Sequence, residues 1–255
     1  MANPNLDAIH EIIASIKLSQ VGWLTLSAIS STALGNIFFL WSSTSIGVTR
    51  ALAISSIFPI WTAAIGWILK GEVLTLTCTI ALVLLVVGVV VVIITGKNEP
   101  IDQRSKTSSG SNLYLAGVFF AFTASLFWAI NSFAAAEGGK ELSTNVSNVL
   151  RIGATLILCP FFNLIFTRNT RYTLPYEELK KISLIFALEG FLGTYLFIYG
   201  LTHSSLAAGA ALSSLAPVVA IPIEIYRRKE KLNYVRTAGI IFIVAGVYFL
   251  IRPEG

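Results

Sequence analysis

Between Lys17 and Arg50 the chain carries no charged residue, and the stretch from Arg50 to Lys70 is equally free of charge. Further charge-free runs extend from Val73 to Thr95, from Thr107 to Ala136 and from Ile152 to Thr167. Three more, at 182–202, 206–226 and 234–251, are interrupted only by Glu189, Glu224 and Arg236. A helix needs about 20 mostly apolar residues to cross the hydrocarbon core of a bilayer. The runs recur at that length, and the spacing predicts eight transmembrane helices. Their expected spans are about 22–43, 47–69, 74–95, 113–136, 147–167, 182–202, 206–226 and 234–251. A transmembrane barrel would instead need segments of roughly ten residues that alternate apolar with polar. Val83 to Ile94 is apolar at every position except Gly88, so an all-α integral membrane protein is expected, with the lipid bilayer as its first partner.

Composition excludes the main rivals. Charged residues make up 12% of the 255, against about 25% in an ordinary soluble domain. That excludes a typical soluble enzyme, a disordered chain and a nucleic-acid binder. Cys78 and Cys159 both sit in apolar runs, which suggests neither a disulfide framework nor a metal site. His10 and His203 are isolated near loops. No phosphate loop and no nucleophile beside a base is visible, so no enzyme and no cofactor are expected.

The polar stretch 97–112 divides the chain into residues 1–96, with three spans, and 113–255, with five. Upstream, Ile9, Ile12, Ile13 and Ile16 follow helical spacing, which suits a short helix lying along the interface. With no Lys or Arg before residue 17, a secretory signal peptide is not expected.

The two parts are related. A shift of 158 residues without gaps lays Leu34–Ile93 onto Leu192–Ile251. Gly35 then falls on Gly193, Ser55-Ser56 on Ser213-Ser214, Pro59 on Pro217, Glu72 on Glu230 and Gly88 on Gly246. Apolar helices resemble one another by composition, but Ser-Ser, Pro, Glu and Gly in one fixed register require a duplicated unit. Transporters are commonly built this way, with the substrate path between the copies. The copies are unequal: the equivalents of spans 113–136 and 147–167 would fall essentially before Met1.

The run Ala208-Gly209-Ala210-Ala211-Leu212-Ser213-Ser214-Leu215-Ala216-Pro217-Val218, followed by Glu230, Leu232, Gly239 and Gly246, resembles the closing helices of an EamA domain. Phe127-Trp128-Ala129-Ile130-Asn131 resembles that domain's opening helix, and Leu150-Arg151 the start of its second. The resemblance is to the drug/metabolite transporter superfamily, completely over 113–251 and over 22–95 for the last three helices of a first domain. It implies two inverted repeats, usually of five helices each, that move small metabolites, amino acids among them, across the cell membrane by alternating access. Two helices fewer implies either a sequence that begins late or an eight-helix form that completes its cavity as a homodimer. A non-transporting partner subunit is the alternative function.

Candidate path residues follow from cost. A carboxylate inside a span is expensive and usually faces a cavity, a partner or a proton path, which singles out Glu189. Desolvation favours the protonated form of a carboxylate, so Glu189 can serve as a proton-coupling site; pairing with Lys180 is the other reading. Pro59 and Pro217 fall within expected helices and free the carbonyls of Ser55 and Ser213. Beside Ser56 and Ser214, those carbonyls suit a polar site or hinge, or a packing kink in which each Ser bonds its own helix. Trp128 and Asn131, three apart, form an aromatic platform beside an amide, or a packed ring with an amide bonding across helices. Arg151 can snorkel to the headgroups, and its match to the family Arg implies gating or anion binding. Tyr195 and Tyr199, one turn apart, line the path or merely pack. Glu72 and Glu230 sit in short turns and are expected to cap the helix that follows each.

Orientation divides the indications. Loops on the side opposite the termini hold twelve Lys and Arg, against Lys17, Lys70, Lys140 and Arg252 on the terminal side. The positive-inside rule thus places the termini outside, whereas the resemblance implies a cytoplasmic location.

Overall fold

The computed structural model of the chain describes residues 14–73, 75–95, 109–166, 175–213 and 234–251. Every regular element among them is helical. Ile9, Ile12, Ile13, Ser214, Pro217, Glu224, Glu230 and the expected linker up to residue 108 lie outside the described residues.

Helix α1 runs Leu18–Ile46 and contains a π-helical segment at Ile29–Gly35. Then come α2 (Val48–Ser55), α3 (Phe58–Lys70) and α4 (Leu76–Thr95). In the second part follow α5 (Ser109–Gly139), α6 (Thr144–Phe166), and α7 (Tyr176–His203) with a π-helical segment at Glu189–Gly193. The described residues end with α8 (Leu206–Ser213) and α9 (Tyr234–Ile251). Among the described residues, four segments are long and apolar enough to cross a membrane: Leu18–Ile46, Asn112–Gly139, Thr144–Phe162 and Tyr176–His203. Leu76–Val91 and Thr237–Gly246 are apolar but shorter. The chain is a multi-pass membrane protein, and its outward faces carry large apolar side chains such as Leu184, Ile185 and Leu188.

Several expected boundaries shift. The last four residues of the expected linker, 109–112, are helical and open α5. The expected span 47–69 is two helices, broken at Ser56 and Ile57. Pro59 explains the break: it lies in the first turn of α3 rather than inside a continuous helix. There its missing N–H is not required. Ser55 Oγ donates to the Ala51 carbonyl at 2.8 Å and Ser56 Oγ to the Leu52 carbonyl at 2.6 Å, so each hydroxyl bonds its own helix. Gly71, at φ 65°, adopts the left-handed conformation that ends α3.

The 158-residue register reappears in the packing. A Cβ added to Gly88 of α4 would lie 2.6 Å from the Gly239 carbonyl oxygen and 2.7 Å from Ile243 Cγ1 of α9. One added to Gly246 would lie 2.7 Å from the Ala81 carbonyl oxygen and 2.9 Å from the Leu85 nitrogen. Positions 81, 85 and 88 map by the shift onto 239, 243 and 246, so the contact is made of the same pairs taken both ways. Residues seven apart are separated by roughly 10 Å along a helix. Gly88 can meet 239 while 81 meets Gly246 only if the two helices run antiparallel. Equivalent helices with opposite directions define an inverted repeat, with its two-fold axis passing between α4 and α9. Small residues at the crossing let the backbones touch, as close helix packing in lipid requires.

The remaining core is also built of small residues. Ala129 and Ala210 close on Phe58, and Ala63 and Ala207 on Leu82. Ala135 and Ala136 meet Leu201 and Leu206. These contacts join α3, α5 and α8 across the two copies.

One end is tied by charge. Glu72, in the turn after α3, accepts the backbone N–H of Leu206 at 3.2 Å. It therefore caps α8 of the second copy rather than the helix that follows it, placing a carboxylate on the positive end of that helix. Lys70 lies 3.4 Å from Glu137 and 3.7 Å from Glu72, and Lys140 lies 2.6 Å from Glu137. Lys17 pairs with Glu141 at 2.7 Å, both exposed. Hydrogen bonding from Lys17, and then its charge, holds the Glu141 carboxyl below the ordinary carboxylate range.

Gly88→Ala and Gly246→Ala should each destabilise the protein by about 1–3 kcal/mol, because the added methyl meets backbone. Gly153, with nothing within 4 Å of its Cβ position, should accept Ala with a change under about 1 kcal/mol. Denaturation in detergent, followed by circular dichroism, compares the three. For the exposed pair, the folded-state value of Glu141 is depressed. The pair's contribution is therefore present above the unfolded value and is lost as pH falls through the folded one. Lys17→Ala should return the Glu141 titration toward the ordinary range, read by carboxyl NMR shifts.

Candidate functional site

A cavity of about 990 Å³ opens between the two copies. One wall is α1, through Ser31, Thr32 and Asn36; the facing wall is α7, through Glu189, Gly190, Gly193 and Thr194. Adding 158 to 31, 32 and 36 gives 189, 190 and 194. The two walls therefore present equivalent positions of the repeat, and both belong to or border a π-helical segment. A π turn widens the helix by one residue and leaves backbone groups misaligned. Those groups find partners here: Asn148 Nδ2 donates to the Phe191 carbonyl at 3.0 Å, and Thr194 Oγ1 to the Glu189 carbonyl at 3.3 Å. Both segments end on a glycine, Gly35 and Gly193.

Helices α5 and α6 supply the polar floor. Trp128, Asn131, Arg151 and Thr155 line the cavity, with Ile152, Leu156 and Cys159 above them. Arg151 does not snorkel to the headgroups. Its Nε donates to Ser27 Oγ at 3.0 Å, and its Nη2 donates to Ser31 Oγ at 2.9 Å and to Asn131 Oδ1 at 3.3 Å. Ser27 Oγ in turn donates to Asn131 Oδ1 at 2.7 Å, and Ser31 Oγ to the Ser27 carbonyl at 3.0 Å. The hydroxyls of Ser27 and Ser31 each accept from the guanidinium and donate onward, as a hydroxyl can. The guanidinium carbon sits 5.6 Å from the centre of the Phe197 ring, within the range of a cation–π contact.

Trp128 is wedged. Its indole touches Gly35, where an added Cβ would lie 2.6 Å from the ring, and its ring meets Phe58 edge-on at 6.0 Å and Phe39 at 5.6 Å. Glu189 lies on the opposite wall, 13 residues into α7, or roughly 20 Å along its axis. It faces the same cavity as Arg151. The ion pairs among the described residues do not include it, with Lys180 or any other base.

Of the candidate path residues, Trp128, Asn131, Arg151, Glu189, Ser56 and Ser213 line this one cavity. Ser55 and Pro59 are buried beside it and do not line it. Tyr195 and Tyr199 stack on one another, and Tyr199 stacks on His203 at 4.1 Å, away from the cavity lining. Ser214 and Pro217 lie outside the described residues. Sequence reasoning missed Ser27 and Ser31, the hydroxyls that hold Arg151. Carrying the 158-residue register three positions upstream of Leu34 would have placed Ser31 opposite Glu189.

The sequence profile of the EamA-like transporter family matches residues 6–94 and 115–252. A protein of Archaeoglobus fulgidus described as an uncharacterized transporter is 25% identical over 230 residues, covering 90% of this chain and 76% of its own length. A protein of known crystal structure shares the fold with a TM-score of 0.66 at 14% identity, over 92% of this chain and 89% of its own.

Asn131→Leu removes an acceptor used by both Ser27 and Arg151, and should cost about 1–3 kcal/mol. Tyr195→Phe, remote from that network, should stay within about 0.5 kcal/mol. Thermal unfolding of the two purified variants in the same detergent checks the difference.

Proposed function

Because the chain belongs to the EamA-like transporter family, we propose that it moves small polar metabolites, such as amino acids, across the cell membrane by alternating access. The observation that carries this reading is the cavity between inverted copies, walled by Ser31, Thr32 and Asn36 on one side and by Glu189, Gly190 and Thr194 on the other. At about 990 Å³ it is of the size that small-molecule sites occupy. Transport sites form where inverted repeats meet, near the midplane, beside broken helices. The paired π-helical segments and the interruption at Ser56–Ile57 are breaks of that kind.

In this reading eight helices span the bilayer, as three in residues 1–96 and five in 113–255, and the copies rock about the helices of Pro59 and Pro217. Trp128, Asn131, Arg151, Ser56 and Ser213 touch the substrate. The backbone break beside Ser55 gives the hinge of the first copy, Ser214 marks the equivalent position in the second, and Tyr195 and Tyr199 brace α7. Glu189 takes up a proton on one side and releases it on the other, coupling transport to the proton gradient. A family match and a cavity of this kind favour transport over intramembrane catalysis.

The test is flux. Proteoliposomes holding the full chain should accumulate at least one compound from a panel of amino acids, organic acids, sugars and nucleosides. Where uptake follows an imposed pH gradient, Glu189→Gln should abolish that dependence while leaving downhill counterflow. Unchanged pH dependence removes Glu189 from the proton path, and absence of flux for the whole panel overturns the transport reading.

A further inference from the structure

The guanidinium in the cavity is only partly engaged by protein. Arginine presents five N–H donors in a rigid planar fork. In Arg151, Nε and Nη2 are engaged by Ser27, Ser31 and Asn131. Among the described residues no acceptor meets Nη1. The ion pairs there join Lys17, Lys70 and Lys140 to Glu72, Glu137 and Glu141, and Arg151 takes part in none of them. A charged group with two unused donors, lining a cavity at the depth of a membrane span, is costly unless something satisfies it. Three side chains on two helices fix the plane of the fork, and Phe197 covers one of its faces. The group is thus preorganised for a ligand, and a planar oxyanion is the partner its geometry suits best.

Resting on the transporter reading, we propose that Arg151 is the receptor for a carboxylate of the transported molecule, docked on the Nη1 edge, and that the substrates are monocarboxylates. The rest of the cavity sets the class. Trp128, Phe58, Phe186 and Leu156 offer apolar wall to a hydrocarbon or ring body. Glu189, across from Arg151, repels a second anionic group and accepts a neutral or cationic one. A dicarboxylate is therefore rejected. Ser31 acts as a positioning residue, holding the fork rather than touching the substrate.

The test uses five probes of similar size: L-leucine, 4-methylpentanoate, 4-methylpentanamide, 3-methylbutylamine and glutarate. Binding is read as a thermal shift of the full chain in detergent, and transport as counterflow in proteoliposomes. L-leucine and 4-methylpentanoate should bind and move, with the amide, the amine and glutarate weaker by about tenfold or more. Arg151→Lys keeps the charge but loses the fork, and should weaken the two acids by about tenfold while leaving the other probes unchanged. Should that variant fail to fold, Ser31→Ala, which keeps the guanidinium but frees its plane, should weaken the acids severalfold while leaving the amide and amine unchanged. Movement of the amide or amine as readily as the acids overturns the Arg151 assignment and leaves the transporter reading standing. If none of the five binds or moves, the assignment fails. Counterflow of a sugar or nucleoside then preserves the transporter reading, and its absence overturns both.

Discussion

A guanidinium carried into a bilayer must have its charge and its donors satisfied by protein or by what a cavity admits, because no lipid group at that depth can do so. Around Arg151 the protein's share is supplied by Ser27, Ser31 and Asn131, drawn from α1 and α5, which engage Nε and Nη2 and leave Nη1 without an acceptor among the described residues. The consequence reaches beyond one side chain. To bring Ser27 and Ser31 within reach of α6, helix α1 must pass close to α5 and α6. The stretch of α1 that bears Ser31 is the one wound as a π helix. Glycine at 35 lets that same segment close on Trp128. Charge satisfaction, the local widening of α1 and the seating of the tryptophan are thus a single arrangement, and the cavity is the space it leaves.

The inverted repeat supplies the opposing wall. The crossing of α4 and α9 at Gly88 and Gly246 fixes the two-fold relation, and helix α7 then faces α1 with its own π segment. Shape is repeated across the axis but chemistry is not. Where α1 presents Ser31, α7 presents Glu189; where α1 has Asn36, α7 has Thr194. A hydroxyl at 31 hydrogen-bonds Arg151 without neutralising it, while the carboxylate at 189 lines the cavity without forming an ion pair with it. The helices that bear Trp128, Asn131 and Arg151 have no counterpart among the described residues of the first copy, so the polar floor is also one-sided.

Much of this was legible in the sequence. Charge-free runs marked the helices because each charge inside a span costs more than the local segment can offset, and among the exceptions Glu189 and Arg151 line the cavity. Glu189, Arg151, Asn131 and Trp128 were visible for that reason, or by their resemblance to a known pattern. Other features were hidden for physical reasons. Ser27 and Ser31 look like ordinary small residues of a membrane helix, and only their distance from a residue 120 or more positions away gives them a role. The π segments leave no compositional trace. Pro59 marked a break correctly but not its position, because one proline suits both a kink inside a helix and the first turn of a new one. Glu72 was recognisable as a cap, yet its partner Leu206 belongs to the other copy, and local spacing cannot see across the axis.

That last contact links the two levels. Glu72 ties the turn after α3 to the start of α8, which carries Gly209, Leu212 and Ser213 to the cavity wall. Lys70 and Glu137 bind the same end to α5, which carries Trp128 and Asn131. Both copies are therefore held together at this end by partly buried charged groups, 17–24% exposed at Lys70, Glu72 and Glu137, whose partners water can replace once the contact opens. At the α4–α9 crossing they are held by close approach of Gly88 and Gly246 to the facing helix backbone, which solvent cannot replace. An element that must move relative to another does so more readily across the first kind of contact than the second. The physical expectation is a rigid axis at Gly88 and Gly246, and relative displacement concentrated at the end marked by Glu72, Glu137 and Leu206.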